Sequence, residues 1–227
     1  LKTEIIITAD GSNSLHIKEL GEGYHSVHGA IQESMHVFIN AGLRKKYTIC
    51  SPINNEITIL EIGLGTGLNV LLSLLDVNNN NQKINYIALE PYPIEQDVAN
   101  NLNYAQLLSD GKFKTTFEKI HTCNWSIPTL LSDNFTFLKV KQKVQDYEFE
   151  NKYNLIYFDA FGPNIQPKMW TEEVFSKIYS ATQPNGILVT YCAKGEVKRT
   201  LKKVGFTVES LKGSPGKREM IRAIKLI

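Results

Sequence analysis

Three carboxylates in this 227-residue chain stand at spacings where an acidic side chain does chemistry rather than merely solvating a surface. Asp159 follows the apolar run Leu155–Phe158 and opens Asp159-Ala-Phe-Gly-Pro163. A carboxylate at the carboxyl end of a central strand faces the ligand edge of an open α/β sheet, although an Asp there also serves to cap its own loop, here ahead of Trp170. Glu90 ends a second apolar run 23 residues after Gly67, a position from which a carboxylate accepts hydrogen bonds from both hydroxyls of a ribose; the plainer role is a surface Glu before a Pro turn. Glu61 lies in Thr58–Ile62 and points toward the same crevice, to meet a cationic group or to be satisfied by backbone donors.

The crevice is written in Ile57-Thr-Ile-Leu-Glu-Ile-Gly-Leu-Gly-Thr-Gly-Leu-Asn69, a β-branched strand running into a glycine turn and then an apolar helix. Gly63 and Gly65 let the backbone bend tightly and approach a ligand, and Gly67 opens a helix whose free N–H groups face the crevice, with Thr66 and Asn69 beside them. In a dinucleotide fingerprint a third Gly would follow Gly65 by three positions, but Leu68 stands there and hinders close approach to a pyrophosphate. The expected ligand is therefore S-adenosylmethionine, which has none; a purely structural turn is the alternative.

Elements that position these groups follow from the hydrophobic pattern. Thr58–Ile62, Ile84–Leu89, Phe135–Val140, Leu155–Phe158 and Ile187–Tyr191 read as strands alternating with amphipathic stretches, which predicts an α/β, Rossmann-like, mostly parallel sheet with helices on both faces. Ahead of it, Glu4–Ala9 and Ser14–Lys18 flank the turn Asp10-Gly-Ser-Asn13 as a β-hairpin, and Ala30, Met35, Val37, Phe38 and Ala41 pattern a helix ending at Gly42. Val77–Gln82, with four consecutive Asn, predicts a surface loop; Gly111–Asn151 carries weak periodicity. Phe206–Leu211 and Glu219–Ile227 read as a final antiparallel pair. One domain over 1–227 is expected, with a lead-in over 1–45 and a core over 56–227.

Composition narrows the class. A 42% hydrophobic fraction suits a globular enzyme, and no apolar run approaches the ~20 residues that span a bilayer, so no membrane partner and a cytoplasmic location are expected. Cys50, Cys123 and Cys192 lack Cys-x-x-Cys spacing and read as reduced thiols; His16, His25, His28, His36 and His121 lack helical zinc spacing, so no metal is expected. The net charge of +2 conceals an asymmetry: residues 194–227 hold ten Lys or Arg and three Glu, the rest 15 basic and 20 acidic groups. Such a basic end attracts phosphate, or is simply a solvated helix face.

Several segments together resemble one family. Tyr24-His-Ser-Val-His-Gly-Ala-Ile-Gln-Glu-Ser-Met-His-Val-Phe-Ile-Asn40, the glycine turn, Tyr157-Phe-Asp-Ala-Phe-Gly-Pro163 with Gln166-Pro-Lys-Met-Trp-Thr171, Thr190-Tyr-Cys-Ala-Lys-Gly195 and Gly213-Ser-Pro-Gly-Lys-Arg-Glu-Met220 are similar to the bacterial tRNA 5-methylaminomethyl-2-thiouridine methyltransferases. The resemblance runs from about Tyr24 to the C-terminus. It implies S-adenosyl-L-methionine as cofactor, tRNA as partner, and conversion of an aminomethyl-uridine to methylaminomethyl-uridine at the wobble position. Many such methyltransferases are fused to a flavin-dependent oxidase; no such second nucleotide-binding domain fits here, which implies a separate enzyme that makes the aminomethyl group. The resemblance places Ser26, Gly29 and Glu33 at the cofactor's methionine end and Asp159 facing the methyl donor. A Gly-Asp pair frequent after the family's third strand is replaced by Lys141-Gln-Lys-Val-Gln-Asp146, which offers only Asp146, displaced.

Methyl transfer to an amine needs an unprotonated nitrogen in line with the carbon–sulfur bond. An ordinary Asp titrates near ~4 and a Lys-like amine near ~10, so Asp159 is expected to orient and stabilise charge first and to accept a proton second. Phe161, Pro163 and Trp170 wall the acceptor pocket or pack their loop. Tyr191 and Lys194 are further pocket candidates, Cys192 a buried thiol before a nucleophile, and Lys194, Lys198, Arg199, Lys217 and Arg218 a phosphate-binding surface. Two other classes share this pattern: an aminopropyltransferase resembling spermidine synthases, which needs several acidic groups around a polyamine, and a non-catalytic RNA-binding module.

Overall fold

Side chains at 57, 59 and 60 have no exposed surface, as the centre of a doubly covered sheet requires. They belong to β4 (Glu56–Ile62), the middle of an eight-stranded sheet in the computed structural model, which describes residues 2–49, 56–80, 82–150 and 153–226. Parallel to β4 run β5 (Lys83–Leu89) and β8 (Tyr153–Phe158) on its two sides, with β7 (Phe135–Val140) beyond β5 and β9 (Thr182–Thr190) beyond β8. Antiparallel strands finish both edges: β6 (Thr129–Ser132) on β7, and β11 (Glu219–Ile224) then β10 (Thr207–Lys212) on β9. The expected α/β class and mostly parallel sheet are observed, with the five expected core strands and the final antiparallel pair in place and one further strand, β6, in the segment of weak periodicity.

Strand order reverses at β4: the chain moves outward through β5 and β7, then returns to place β8 on the other side. The carboxyl ends of β4 and β8 thus flank a topological switch point, where open α/β sheets bind ligands. Helix α3 (Leu68–Asn80) packs one face with α4 (Gln96–Asn100), α5 (Tyr104–Ser109) and α6 (Lys114–Thr122). The opposite face carries α7 (Glu172–Ala181) and α8 (Gly195–Lys203) around Phe158, Trp170 and Phe175.

Two expectations are corrected. The lead-in helix does not end at Gly42: α1 (Ala30–Ser34) continues as a π-helix, Met35–Arg44, and then as α2 (Lys45–Ile49). Gly42 is a packing residue there, since a Cβ on it would stand 3.0 Å from Val189 Cγ2 and 3.3 Å from Tyr157 Cε1. Nor is the Asn run all loop, because α3 extends through Asn80, whose amide donates to the Asp76 carbonyl at 2.8 Å. Asn81 and Cys50 lie outside the described residues.

The opening hairpin, β1 (Thr3–Ile7) and β2 (Asn13–Ile17), gains a short third strand, β3 (Glu22–Gly23), and caps a helix remote in sequence. Gly29, preceding α1, has no side chain to satisfy the first N–H groups. Instead Ala30 N–H reaches Thr8 Oγ1 and Ser12 Oγ at 3.3 and 3.2 Å, and Gln32 N–H donates to Asp10 Oδ2 at 2.9 Å. Hydrogen bonds from Ser12, Gln32 and Thr8 hold the Asp10 carboxyl below its ordinary range despite partial burial. Its contribution is present above the ordinary Asp value and lost as pH falls through the depressed one. Asp10→Ala is expected to lower unfolding free energy by about 1–2 kcal/mol at neutral pH, the usual size of a lost cap, and by less in acid; denaturant titration at the two pH values checks it.

Candidate cofactor and acceptor site

At the switch point the chain turns through Gly63, Gly65 and Gly67 with φ of +93°, +50° and +73°, conformations side chains rarely adopt. Gly63 N–H donates to Leu89 O at 2.9 Å and Asp159 N–H to Ile62 O at 3.0 Å, tying the ends of β4, β5 and β8 together. A Cβ on Gly63 would meet the Asp159 carbonyl at 2.7 Å, so the turn lies directly against the strand end that carries Asp159.

Carboxylates converge on this turn. Glu90 accepts Gly65 N–H on Oε2 at 3.1 Å and Tyr92 N–H on Oε1 at 2.8 Å; burial raises its titration, opposed by these bonds. Glu61, fully buried on the same face of β4 as Ile57 and Ile59, accepts one Asn69 N–H at 2.9 Å, and Asn69 gives its other N–H to Asp159 Oδ2 at 2.9 Å. Glu61 Oε2 and Asn69 Oδ1 are buried without a hydrogen-bond partner. Burial pushes Glu61 well above the usual carboxylate range. Asp159 is pushed up to about 7, chiefly by burial and then by the charge of Glu33, while the Asn69 bond and Lys217 oppose the shift. The expectation that Asp159 titrates as an ordinary Asp is thereby corrected: desolvation makes it a much stronger base.

Glu33 closes the other side. It takes Ser26 N–H on Oε2 at 2.8 Å, the Ser214 hydroxyl at 3.4 Å and the Lys217 ammonium on Oε1. Lys217 lies 4.1 Å from the Tyr191 ring centroid, and Tyr191 hydroxyl donates to Ala160 O at 2.9 Å. Gly29, at φ +146°, lets the chain pass over Asp10, whose Oδ2 stands 2.6 Å from where a Cβ would lie.

The structure thus brings together Ser26, Glu33, Glu61, Gly63, Gly65, Gly67, Asn69, Glu90, Asp159, Tyr191 and Lys217. Thr66 is buried beside them, its carbonyl 3.2 Å from His121 Nε2. Of the aromatic loop, Phe161 stands edge-on to Tyr24, whereas Trp170 is buried in the second core with its indole N–H on Phe161 O at 2.8 Å, and Pro163 is buried. Lys194 reaches Asn164 Oδ1 at 2.6 Å; Arg199 and Arg218 are exposed on the surface, and Asp146 is exposed beyond β7. Two contacts were not singled out from the sequence. Tyr24 covers Gly65, its ring 3.2 Å from where a Cβ would lie, and burial with the Glu90 charge raises it to about 12. His121, brought down to about 4 by burial, backs Gly67 from α6. Neither side chain has a spacing signal, because both reach the turn from elements distant in sequence.

A profile of the S-adenosyl-L-methionine-dependent methyltransferases matches residues 113–226. The chain belongs to that family. The methyltransferase is 27% identical to the tRNA 5-methylaminomethyl-2-thiouridine biosynthesis bifunctional protein MnmC of Campylobacter hominis over 74% of this chain and 26% of that protein. It is 25% identical to the MnmC of Actinobacillus pleuropneumoniae over 95% of this chain and 34% of that one. It therefore spans about a quarter to a third of the length of the curated relatives it matches. The crystal structure of MnmC2 from Aquifex aeolicus superposes with a TM-score of 0.76 at 25% identity, covering 98% of this chain and 69% of that one. Spermidine synthase from Thermotoga maritima, at 0.55 and 14% identity over 98% of this chain and 68% of that one, shares the fold. The family resemblance expected from the sequence is borne out.

Asp159 should titrate in the folded methyltransferase with a midpoint of about 7, and Asn69→Ala should raise it further by removing a hydrogen bond to the charged form. A folded value above the unfolded one means stability present in acid and lost as pH rises through about 7, a loss that Asp159→Asn should abolish. Carboxyl NMR titration and unfolding across pH read both.

Proposed function

We propose that this methyltransferase transfers a methyl group from S-adenosylmethionine to the aminomethyl nitrogen of a modified wobble uridine in tRNA. The observation that carries the reading is the half-buried Asp159, joined through Asn69 to Glu61 beside the glycine turn at the switch point. The substrate class comes from the similarity to the MnmC proteins.

The residues present fit that cofactor. Each Glu90 oxygen has spent one acceptor site on a backbone N–H and keeps another for a ribose hydroxyl. The orphaned Asn69 Oδ1 and Glu61 Oε2 offer acceptors to the methionine ammonium, and the positive φ at Gly65 keeps a Cβ out of the crevice. Gly63, Thr66 and Gly67 supply the turn; Ser26, Gly29 and Glu33 close the methionine side. When bound, the cofactor supplies an electrophilic methyl group on a sulfonium. Asp159, with its titration near neutrality, removes the proton that otherwise blocks the acceptor nitrogen's lone pair and holds that nitrogen in place; alignment of the reactants contributes on the order of 7–11 kcal/mol. Phe161 and Tyr191 flank the acceptor side, while Trp170 and Pro163 hold the loop that presents them. The basic C-terminal segment favours a nucleic-acid acceptor over a polycation and so over aminopropyl transfer.

Along the basic end, pairing selects the phosphate contacts. Lys198 is held by Glu219, Lys203 by Glu172, Lys217 by Glu33 and Arg222 by Glu209. Arg199, Lys202, Lys212 and Arg218 are exposed and make no ion pair with a described residue, so they, with Lys194, form the tRNA surface. We place the activity in one unit over 1–227, with a separate enzyme supplying the aminomethyl group, in the cytoplasm; no described helix is long and apolar enough to cross a membrane.

Incubation with labelled S-adenosylmethionine and tRNA carrying the aminomethyl-uridine, followed by nucleoside mass analysis, should show one added methyl; an unmethylated wobble uridine rejects the reading. Asp159→Asn should retain cofactor affinity and lose most single-turnover methylation, whereas Gly65→Val should weaken cofactor binding measured by calorimetry. Arg199→Ala should flatten the logarithmic salt dependence of tRNA affinity by about 0.7–0.9, the loss of one phosphate contact.

A further inference from the structure

Lys217 was grouped with the basic surface, yet it sits apart from it. Its ammonium is fixed between the buried Glu33 carboxylate and the Tyr191 ring, and Tyr191 is fastened to the carbonyl of Ala160, the residue after Asp159. Ser214, in the same loop, also reaches Glu33, and His28 lies against Gly216. Two contacts therefore hold the cation itself, and the others fix its partners and its loop, with a third of the Lys217 side chain exposed.

We infer that Lys217 is a positioning residue for proton removal: its anchored ammonium favours the neutral form of the amine that enters beside Asp159. The inference rests on the reading above, that the acceptor is an aminomethyl nitrogen. In the step concerned, one N–H bond of the substrate ammonium breaks, its electron pair stays on nitrogen as the lone pair, and the proton passes to a carboxylate oxygen of Asp159. Nothing is oxidised or reduced.

The groups facing Lys217 come from every neighbouring element: Glu33 on α1, His25 and His28 before it, Asp159 after β8, Tyr191 and Cys192 after β9, and Arg218 beside it. Burial keeps His25 neutral, lowering it to about 4, and raises both Tyr191 and Cys192, so these three carry no charge at neutral pH. The charges that act on an incoming amine are then Glu33, Asp159 and Lys217. A nearby positive charge disfavours a second one, so Lys217 lowers the pH at which the amine deprotonates; it also favours the charged form of Asp159, its acceptor. Removing the cation moves both titrations toward alkali.

The test is the pH profile of single-turnover methylation of tRNA bearing the aminomethyl-uridine, for the parent, Lys217→Met, Lys217→Gln and Lys217→Arg. Both neutral variants should shift the rising limb about one unit toward alkali, about tenfold slower on the acid side and converging with the parent at high pH; Lys217→Arg should keep the parental limb. The salt slope of tRNA affinity should be unchanged in all three. A limb that stays in place in an active neutral variant, or a flattened salt slope, overturns the inference while leaving the methyltransferase reading intact. Absence of methylation by the parent protein overturns both. Using two neutral replacements guards against one that fails to fold.

Discussion

A single amide ties the reaction centre together. Asn69 spends both of its N–H groups on carboxyls that project from two adjacent strand ends, Glu61 and Asp159. Both are shifted upward, chiefly by burial, Glu61 further by the Asp159 charge and Asp159 further by Glu33. The arrangement is possible because the strand order reverses at β4: only there do two neighbouring carboxyl ends leave a crevice rather than being bridged by the next helix. The glycine turn fills the bottom of that crevice, and its left-handed conformations let the start of α3 approach closely enough for Asn69 to reach both acids.

The sheet supplies half of the site and the lead-in unit the rest. Hairpin side chains Thr8, Asp10 and Ser12 satisfy the first N–H groups of α1, and that helix carries Glu33. The π-helix after it brings Gly42 against β8 and β9, so the same helix is packed at one end and capped at the other by elements it does not neighbour in sequence. Glu33 is thereby placed against a loop from the far end of the chain, where Ser214 and Lys217 meet it.

Local patterns in the sequence made the strands, the glycine turn, Glu90 and Asp159 legible, because each depends on residues within a few positions: β-branched runs, a glycine spacing, an acid at a strand end. Within 111–151 only Phe135–Val140 was legible, since β6 is short and at an edge and α6 has a weakly apolar face. Gly42 read as a helix stop because a stop and a packing glycine look alike until the neighbouring strands are known. The strength of Asp159 as a base was hidden for a similar reason: its shift comes from burial, which the whole fold creates. Tyr24 over Gly65 and His121 behind Gly67 reach the turn from remote elements, and Lys217 reads as one more surface lysine until Glu33 is set opposite it.

The Glu33–Lys217 pair joins positions 184 residues apart. During synthesis the residues of the glycine turn and of the Asp159 strand emerge well before those of the last hairpin loop. Until then Glu33 has no cation and, in the folded geometry, would be a buried charge without a counterion, which is costly. The Glu33 side of the site is thus completed only by the end of the polypeptide.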